Sequence, residues 1–371
     1  MSGMIPGLDG LRAIAFLLVF AFHTDYLQIG WVGVSLFFVL SGFLITRQLL
    51  DSQGSSNYYR AFFGRRTLRI FPLYYSALLI GFVVVPLLFP NTAYGAASHP
   101  DQIWLWVFLV NWAQPFGADA YPFSHFWSLA IEEQFYLIWP FVVRRLDPRA
   151  LLVLSAWLAL AALMIRIVMR ASAASPDMLY AFTICRMDAL VIGAIVAALV
   201  RIPALDARAL VFAPWLIPVA SLLGLTGALI TRAYTRDTAS TQTVGYSIFA
   251  VFSGLILLAS IIERGGWNRR LQAMLSAAPL RSVGKYSYGM YVIHYPIILG
   301  LQKVVPRFQE VFGNFYIIPL LLVILLLSYA AAFLSYHAME KHFLRLKRWF
   351  VPTRVSGPDF ETLQGARGDR G

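Results

Sequence analysis

Long apolar runs recur from one end of this chain to the other, and no other feature restricts its fold so strongly. Each is close to the roughly 20 residues that a helix needs to cross a bilayer. Ten are recognisable, at 8–24, 31–50, 70–90, 126–143, 150–169, 179–200, 209–230, 243–262, 286–304 and 314–338. A β-barrel would show shorter, alternating segments. The expected fold is therefore all-α, a polytopic membrane bundle of about ten transmembrane helices. Composition agrees, because 59% of the 371 residues are hydrophobic and 13% are charged, against about 45–50% and about 25% in soluble domains.

The net charge of +12 would suit a nucleic-acid binder, but the cations gather between the apolar runs, as membrane topology requires. No nucleic-acid partner is expected; the partner is the lipid bilayer. Arg47, Arg60, Arg65, Arg66 and Arg69 mark one side, followed by Arg144, Arg145 and Arg149, then Arg201 and Arg208. Arg264, Arg269, Arg270, Arg281 and Lys285 continue the set, and Lys341, Arg345, Lys347 and Arg348 complete it. Stretches 24–30 and 91–126 hold no Lys or Arg. The positive-inside rule then places both termini in the cytoplasm.

The segment "IWLWVFLVNWA" (103–113) is short, and counting it as a span would put "RRLDPR" (144–149) outside. It is read as an interfacial or re-entrant segment on the outer side. Residues 1–350 are expected to form one transmembrane domain, and the polar, Gly-rich 351–371 a disordered cytoplasmic tail. The lone Cys185 excludes an internal disulfide and a cysteine-ligated metal. No histidine pair has ligand spacing, so no metal is expected. Neither a G-x-S-x-G elbow nor a phosphate-cradling glycine loop occurs.

Ionisable groups inside an apolar span are costly and are functional candidates by default. In "LRAIAFLLVFAFHTD" (11–25), Arg12 and His23 lie eleven positions apart, about three turns plus 20° and about 16 Å along a helix. They share one face, with Arg12 toward the cytoplasm and His23 toward the outer leaflet. Anchoring at the two interfaces is the alternative. In "SHFWSLAIEEQFYLIWP" (124–140), Glu132 and Glu133 enter a span, and Ser128, Glu132 and Tyr136 share a helical face. A structural ion pair with an arginine of another span is the alternative for the glutamates. Arg186 and Asp188 sit two positions apart in "CRMDALVIGAIVAA" (185–198); such positions do not face each other, so each needs a partner on another helix or a wet cavity, unless the two merely neutralise each other. Arg66 and Arg69, one turn apart, can grip a phosphate bidentately or simply anchor the cytoplasmic side.

Taken in order, these motifs resemble the acyltransferase 3 family of integral membrane acyltransferases, over about residues 5 to 345. The branch that acetylates O-antigens (the sugar chains of lipopolysaccharide) and other bacterial surface glycans is the most similar. "LDGLRAIAFLLVFAFH" resembles its opening helix with R-x10-H, and "GWVGVSLFFVLSGFLIT" its second helix, where the family often carries Asp in place of Ser35. "FFGRRTLRIFPLYY" carries its R-x-x-R, "FWSLAIEEQFYLIWP" its glutamate-bearing helix, and "YSYGMYVIHYPI" and "YHAMEKHF" its last two.

The resemblance implies an O-acetyltransferase of the bacterial inner (plasma) membrane. It implies transfer of an acyl group, usually acetyl, from cytoplasmic acyl-CoA to a hydroxyl of a carbohydrate at the outer side. His23 is then the general base or a transient acyl carrier, in a catalytic set with Arg12, Glu132 and Glu133. Asp25 or Glu132 would orient its ring. Arg66, Arg69 and Arg12 would hold the CoA phosphates. Trp127, Ser128, Arg186 and Asp188 are the candidates for substrate contact, with Arg186 or Ser128 facing the thioester oxyanion. Some family members append an SGNH-type hydrolase domain after the last span; none is expected here, so the chain is expected to act on a lipid-linked glycan or with a separate acyl-delivering protein. Two other readings compete: an acyltransferase on a small metabolite such as a macrolide, and a transporter or flippase, whose usual internal symmetry is not found.

Overall fold

The computed structural model describes residues 6–90, 100–232, 235–262 and 266–353. The expected tail lies outside the described residues from 354 onward, as do 91–99 of the outer stretch and Arg264. No strand occurs among the described residues, as an all-α fold requires. Among the described residues, ten helices of 15 residues or more carry the fold. They are α1 (Pro6–His23), α2 (Val32–Asp51), α3 (Tyr58–Leu79), α4 (Trp127–Arg145), α5 (Pro148–Ala171), α6 (Thr183–Leu199), α7 (Leu216–Ile230), α8 (Tyr246–Ile261), α9 (Ala278–Leu301) and α10 (Ile317–Ser335). Shorter turns join them.

Among the described residues, seven helical stretches are long and apolar enough to cross a membrane: those containing α2, α3, α5, α6, α7, α8 and α10. The other three long helices, α1, α4 and α9, carry the polar groups of interest. The apolar helices divide into two layers. Stretches around α5, α7 and α10 are each only 22% buried within the protein, so their side chains need lipid around them. Those around α2 and α6 are 72% buried and pack against each other and against α1, α4 and α8. The polar helices thus stand inside a sleeve of apolar ones, the arrangement that makes intramembrane charge tolerable.

The largest departure from the predicted spans is α3. It begins at Tyr58 rather than near 70, so Arg60, Arg65, Arg66 and Arg69 lie on a helix and not in a loop. Segment 103–113 forms two single turns, Ile103–Trp106 and Val110–Ala113, broken at Phe108 with a φ of +55°. Its freed carbonyls are capped from α3: Tyr74 donates to the Leu105 oxygen (2.7 Å) and Tyr75 to that of Trp106 (3.2 Å). Such satisfaction by neighbouring protein is what irregular backbone at membrane depth demands. Helix α5 starts cleanly, because Asp147 accepts from the Ala150 amide (3.0 Å) as N-cap and Pro148 takes the first helical position.

Two close approaches set the geometry of the site. At the α2–α6 crossing, a Cβ on Gly42 would stand 1.8 Å from the Leu190 oxygen and one on Gly193 2.1 Å from that of Val39; small residues let the backbones touch. At the α1–α9 contact, a Cβ on Gly284 would stand 1.8 Å from the Asp9 oxygen. Asp9 lies beside Gly284 at one end and His23 beside His294 at the other, so α1 and α9 run parallel.

Candidate active site

A row of three cavities runs through the middle of the bundle. The first, about 650 Å³, is on the Arg-rich side. Arg12, Arg66 and Arg69 line it, joined by Arg47, Arg65, Lys285 and Lys347. Against these seven cations stand two carboxylates, Asp9 and Asp51. Both are engaged: Asp9 with Arg12 (3.0 Å), and Asp51 with Arg201.

The second cavity, about 120 Å³, shares Arg12, Arg66 and Arg69 with the first. Glu132, Glu133, Ser128 and Tyr136 form its far wall. Tyr136 donates to Glu132 Oε2 (3.1 Å) and also meets Ser41. Neither glutamate forms an ion pair with an arginine among the described residues, and Glu133 Oε1 is buried without a hydrogen-bond partner. Arg66 lies 5.0 Å from the Tyr136 ring and Arg69 5.8 Å from that of Tyr288. The carboxylates and guanidiniums therefore face a shared space instead of closing on one another, which distinguishes this wall from a structural ion pair.

The third cavity, about 550 Å³, shares Val34 and Tyr291 with the second. His23, His125, Trp127 and Tyr295 line it with the polar rim of Asp119, Asp177 and Arg236. Arg236 pairs with Asp177 (3.0 Å) and Asp237 (2.8 Å) and stacks over Tyr180 at 4.4 Å. Those carboxylates hold the guanidinium's pKa above its ordinary value against the effect of burial. Aromatic faces beside paired charges suit a polar ligand with apolar ring faces.

His23 is the junction. Its Nδ1 is 2.8 Å from Nε2 of His294, and the rings are stacked with centroids 5.1 Å apart. Nδ1 of His294 lies 2.8 Å from the Tyr291 carbonyl oxygen. A carbonyl only accepts, so His294 carries its proton on Nδ1 and presents a bare Nε2. His23 must then donate from Nδ1, which leaves Nε2 of His23 as an unprotonated nitrogen with no partner among the described residues. That is the tautomer a general base needs. His125 donates from Nε2 to the same Tyr291 oxygen (3.0 Å), and Ser128 Oγ is 2.5 Å from the Tyr291 hydroxyl.

The structure brings Arg12, His23, Arg66, Arg69, Glu132, Glu133, Trp127 and Ser128 onto these cavities. It sets Arg186 and Asp188 apart. Asp188 pairs with Arg166 of α5 (2.8 Å) and accepts from Ser247 of α8 (2.7 Å), a brace between three helices. Arg186 is 1% exposed, 4.3 Å from the Tyr246 ring, and donates to Ser35 (3.0 Å). Its Nε and Nη1 have no hydrogen-bond partner among the described residues. Where the family often has Asp, this chain meets that guanidinium with a hydroxyl. Asp25, exposed at a φ of +56° after α1, does not hold the His23 ring; His294 does. Sequence reasoning missed His125 and His294 because their spacing was tested only for metal binding. The burial argument that singled out His23 applies equally to His294 within "YVIHYPI". Among the described residues no group of His, Cys, Asp and Glu has metal-holding geometry; the His23–His294 contact is a hydrogen bond.

A helical bundle whose polar groups line a chain of internal cavities is a membrane protein built to act on something that enters it. Residues 5–337 match the acyltransferase domain of the acyltransferase 3 family, and the chain belongs to that family. It is 30% identical over 311 residues to the peptidoglycan O-acetyltransferase OatA of Listeria monocytogenes, covering 79% of this chain and 49% of that one. It is 30% identical over 356 residues to the putative peptidoglycan O-acetyltransferase YrhL of Bacillus subtilis (91% and 54%). The O-acetyltransferase OatA of Staphylococcus aureus is 29% identical over 376 residues (95% and 60%). The chain thus spans about half the length of the curated relatives it matches. No solved structure matches it.

Proposed function

We propose that this chain is a membrane O-acetyltransferase that takes an acetyl group from cytoplasmic acyl-CoA and gives it to a hydroxyl of a carbohydrate at the outer side of the bacterial inner membrane. The observation that carries this reading is the order of the cavities: a cluster of cations at one end, the unprotonated Nε2 of His23 at the other, and a narrow polar chamber between. The relatives' peptidoglycan activity supports a cell-envelope carbohydrate as acceptor, reached while it is still lipid-linked or through a separate partner protein. In this reading all ten long helices cross the bilayer, with both termini in the cytoplasm.

The donor's phosphates meet Arg66, Arg69 and Arg12, and its thioester end extends into the central chamber. The acceptor occupies the outer cavity against Trp127 and Tyr180. Nε2 of His23 takes the proton of the acceptor hydroxyl as the oxygen bonds to the thioester carbon. The Ser128 hydroxyl, turning from the His125 carbonyl (3.3 Å) into the same chamber, stabilises the oxyanion, while Tyr291 keeps its donation to that carbonyl (3.0 Å). Collapse breaks the C–S bond, and the imidazolium returns its proton to the departing thiolate. His294 keeps the His23 ring in the tautomer that starts the cycle.

Membranes containing the protein, supplied with acetyl-labelled CoA, test the reading. Label is expected in a hydroxyl ester of an envelope carbohydrate; labelled CoA that stays intact beside every carbohydrate acceptor offered would defeat it. Cysteine labelling that places 144–149 outside would overturn the topology.

A further inference from the structure

Past α10 the chain turns back onto the start of α3. Residues Lys341–Arg345 add one helical turn and Leu346–Phe350 a 3-10 turn. The next three residues are fastened beside the N-terminus of α3. Asn57 Nδ2 donates to the Val351 oxygen (2.9 Å), the Thr353 amide donates to Asn57 Oδ1 (2.9 Å), and the Ser56 amide donates to the Thr353 oxygen (3.2 Å). Just before these ties the Phe350 ring rests directly on α3 at Gly64. A Cβ at that position would stand 2.1 Å from the ring, so glycine is what lets the ring sit there. Arg60 stacks on the same ring at 5.9 Å. Gly64 immediately precedes Arg65 and Arg66, so the ring packs against the turn that presents the basic cavity's arginines.

This segment also supplies a cation. Lys347 lines the basic cavity together with Arg12, Arg65, Arg66 and Arg69. It forms no ion pair among the described residues. Like charges held together repel unless an anion joins them, so a fastened segment that carries a lysine into this cluster is suited to an anion. All of it lies beyond residue 337, where the family match ends.

We propose that residues 346–353 are a strap that closes the basic cavity and carries Lys347 into it as a contact for the nucleotide phosphates of the donor. The inference rests on the donor reading above, and the experiment separates the two. Transfer is measured in membranes for wild type, Lys347→Ala, Lys347→Arg and Phe350→Ala, with acetyl-CoA and with acetyl-pantetheine, which has the thioester arm and no nucleotide. Loss of a charge-assisted hydrogen bond should raise the KM for acetyl-CoA about tenfold in Lys347→Ala with kcat retained. Lys347→Arg should restore most of it. Phe350→Ala, which loosens the strap without removing a charge, should shift KM the same way by less. The KM for acetyl-pantetheine should not move in any of them. A wild-type KM for acetyl-CoA in Lys347→Ala, beside a raised one in Arg66→Ala, overturns the strap and leaves the donor site standing. An equal rise for acetyl-pantetheine makes Lys347 structural. Unchanged KM in both Arg66→Ala and Lys347→Ala removes the donor reading and the strap together.

Discussion

At the outer end of the cavity row, His23, His294 and the Tyr291 carbonyl are joined at 2.8 Å and 2.8 Å, and the chain of donors and acceptors has one possible direction. At the Arg-rich end, Arg65, Arg66, Arg69 and Lys347 form no ion pair among the described residues and lie around an open space of about 650 Å³. One end holds a reactive atom in a fixed protonation state before any substrate arrives. The other is an incomplete electrostatic arrangement that a multiply charged ligand completes. Preorganisation of the first kind acts on the barrier to reaction, and a set of waiting charges acts on affinity. Substitutions at the two ends should therefore separate into kcat effects and KM effects.

The sharpest way to break that division is His23→Ala. Removing a general base costs about 10²- to 10⁴-fold, so transfer should fall by that factor while the KM for acetyl-CoA stays near wild type. Full transfer by the variant, measured with labelled acetyl-CoA in membranes, would show that the bare Nε2 is not the working atom. Next in size is the double variant Arg66→Ala with Arg69→Ala. Each guanidinium contact to phosphate is worth roughly 1.5–3 kcal/mol, so losing both should raise the KM for acetyl-CoA by about 10²-fold or more with kcat far less affected. A fall in kcat with unchanged KM would reverse the roles assigned to the two ends.

His294→Ala tests whether the outer end is preorganised or merely populated. His23 keeps its base but loses the acceptor that fixes its tautomer. The loss of about one neutral hydrogen bond, roughly 0.5–1.5 kcal/mol, predicts a decrease of about two- to tenfold in kcat, with both KM values held. His294→Asn, whose side-chain oxygen can still accept, should recover part of the rate. A decrease as large as that of His23→Ala would make His294 a reacting group and not a positioning one.

The halves of the site differed in how far they could be read before folding. Arg12 and His23 share one helix, as do Glu132 with Tyr136 and Arg66 with Arg69, and helical phase alone puts each set on one face. His294 meets His23 across 271 positions, through the parallel α1–α9 contact that Gly284 permits, and no local pattern encodes that meeting. The partner of Asp188 was equally hidden: Arg166 lies on another helix, whereas the nearer Arg186 points into aromatic rings. The start of α3 was misplaced because its first turns carry four arginines, which hydropathy reads as loop although arginine is a good helix former. The strap could not be recognised at all, since its meaning depends on Phe350 reaching Gly64.

The smallest predicted effect has the opposite sign and concerns an arginine that already has a carboxylate partner. Arg12 lines both the basic and the central cavities, yet it is held by Asp9 at 3.0 Å, with side chains 33% and 23% exposed. A part-exposed pair of this kind is worth about 0–1 kcal/mol. A donor phosphate entering the cavity must compete with that carboxylate for the guanidinium. Asp9→Asn keeps the shape of the side chain and removes its charge, which frees Arg12 and reduces the negative potential at the cavity mouth. The KM for acetyl-CoA should fall, by about two- to fivefold at most given the size of the pair. The KM for acetyl-pantetheine should not change, since its thioester arm carries no phosphate to attract. A raised KM for acetyl-CoA would instead mean that Asp9 holds Arg12 in its working position. Arg12 would then belong with His23 among the groups set in place before substrate arrives, and the boundary between the two kinds of construction would move toward the Arg-rich end by the length of α1.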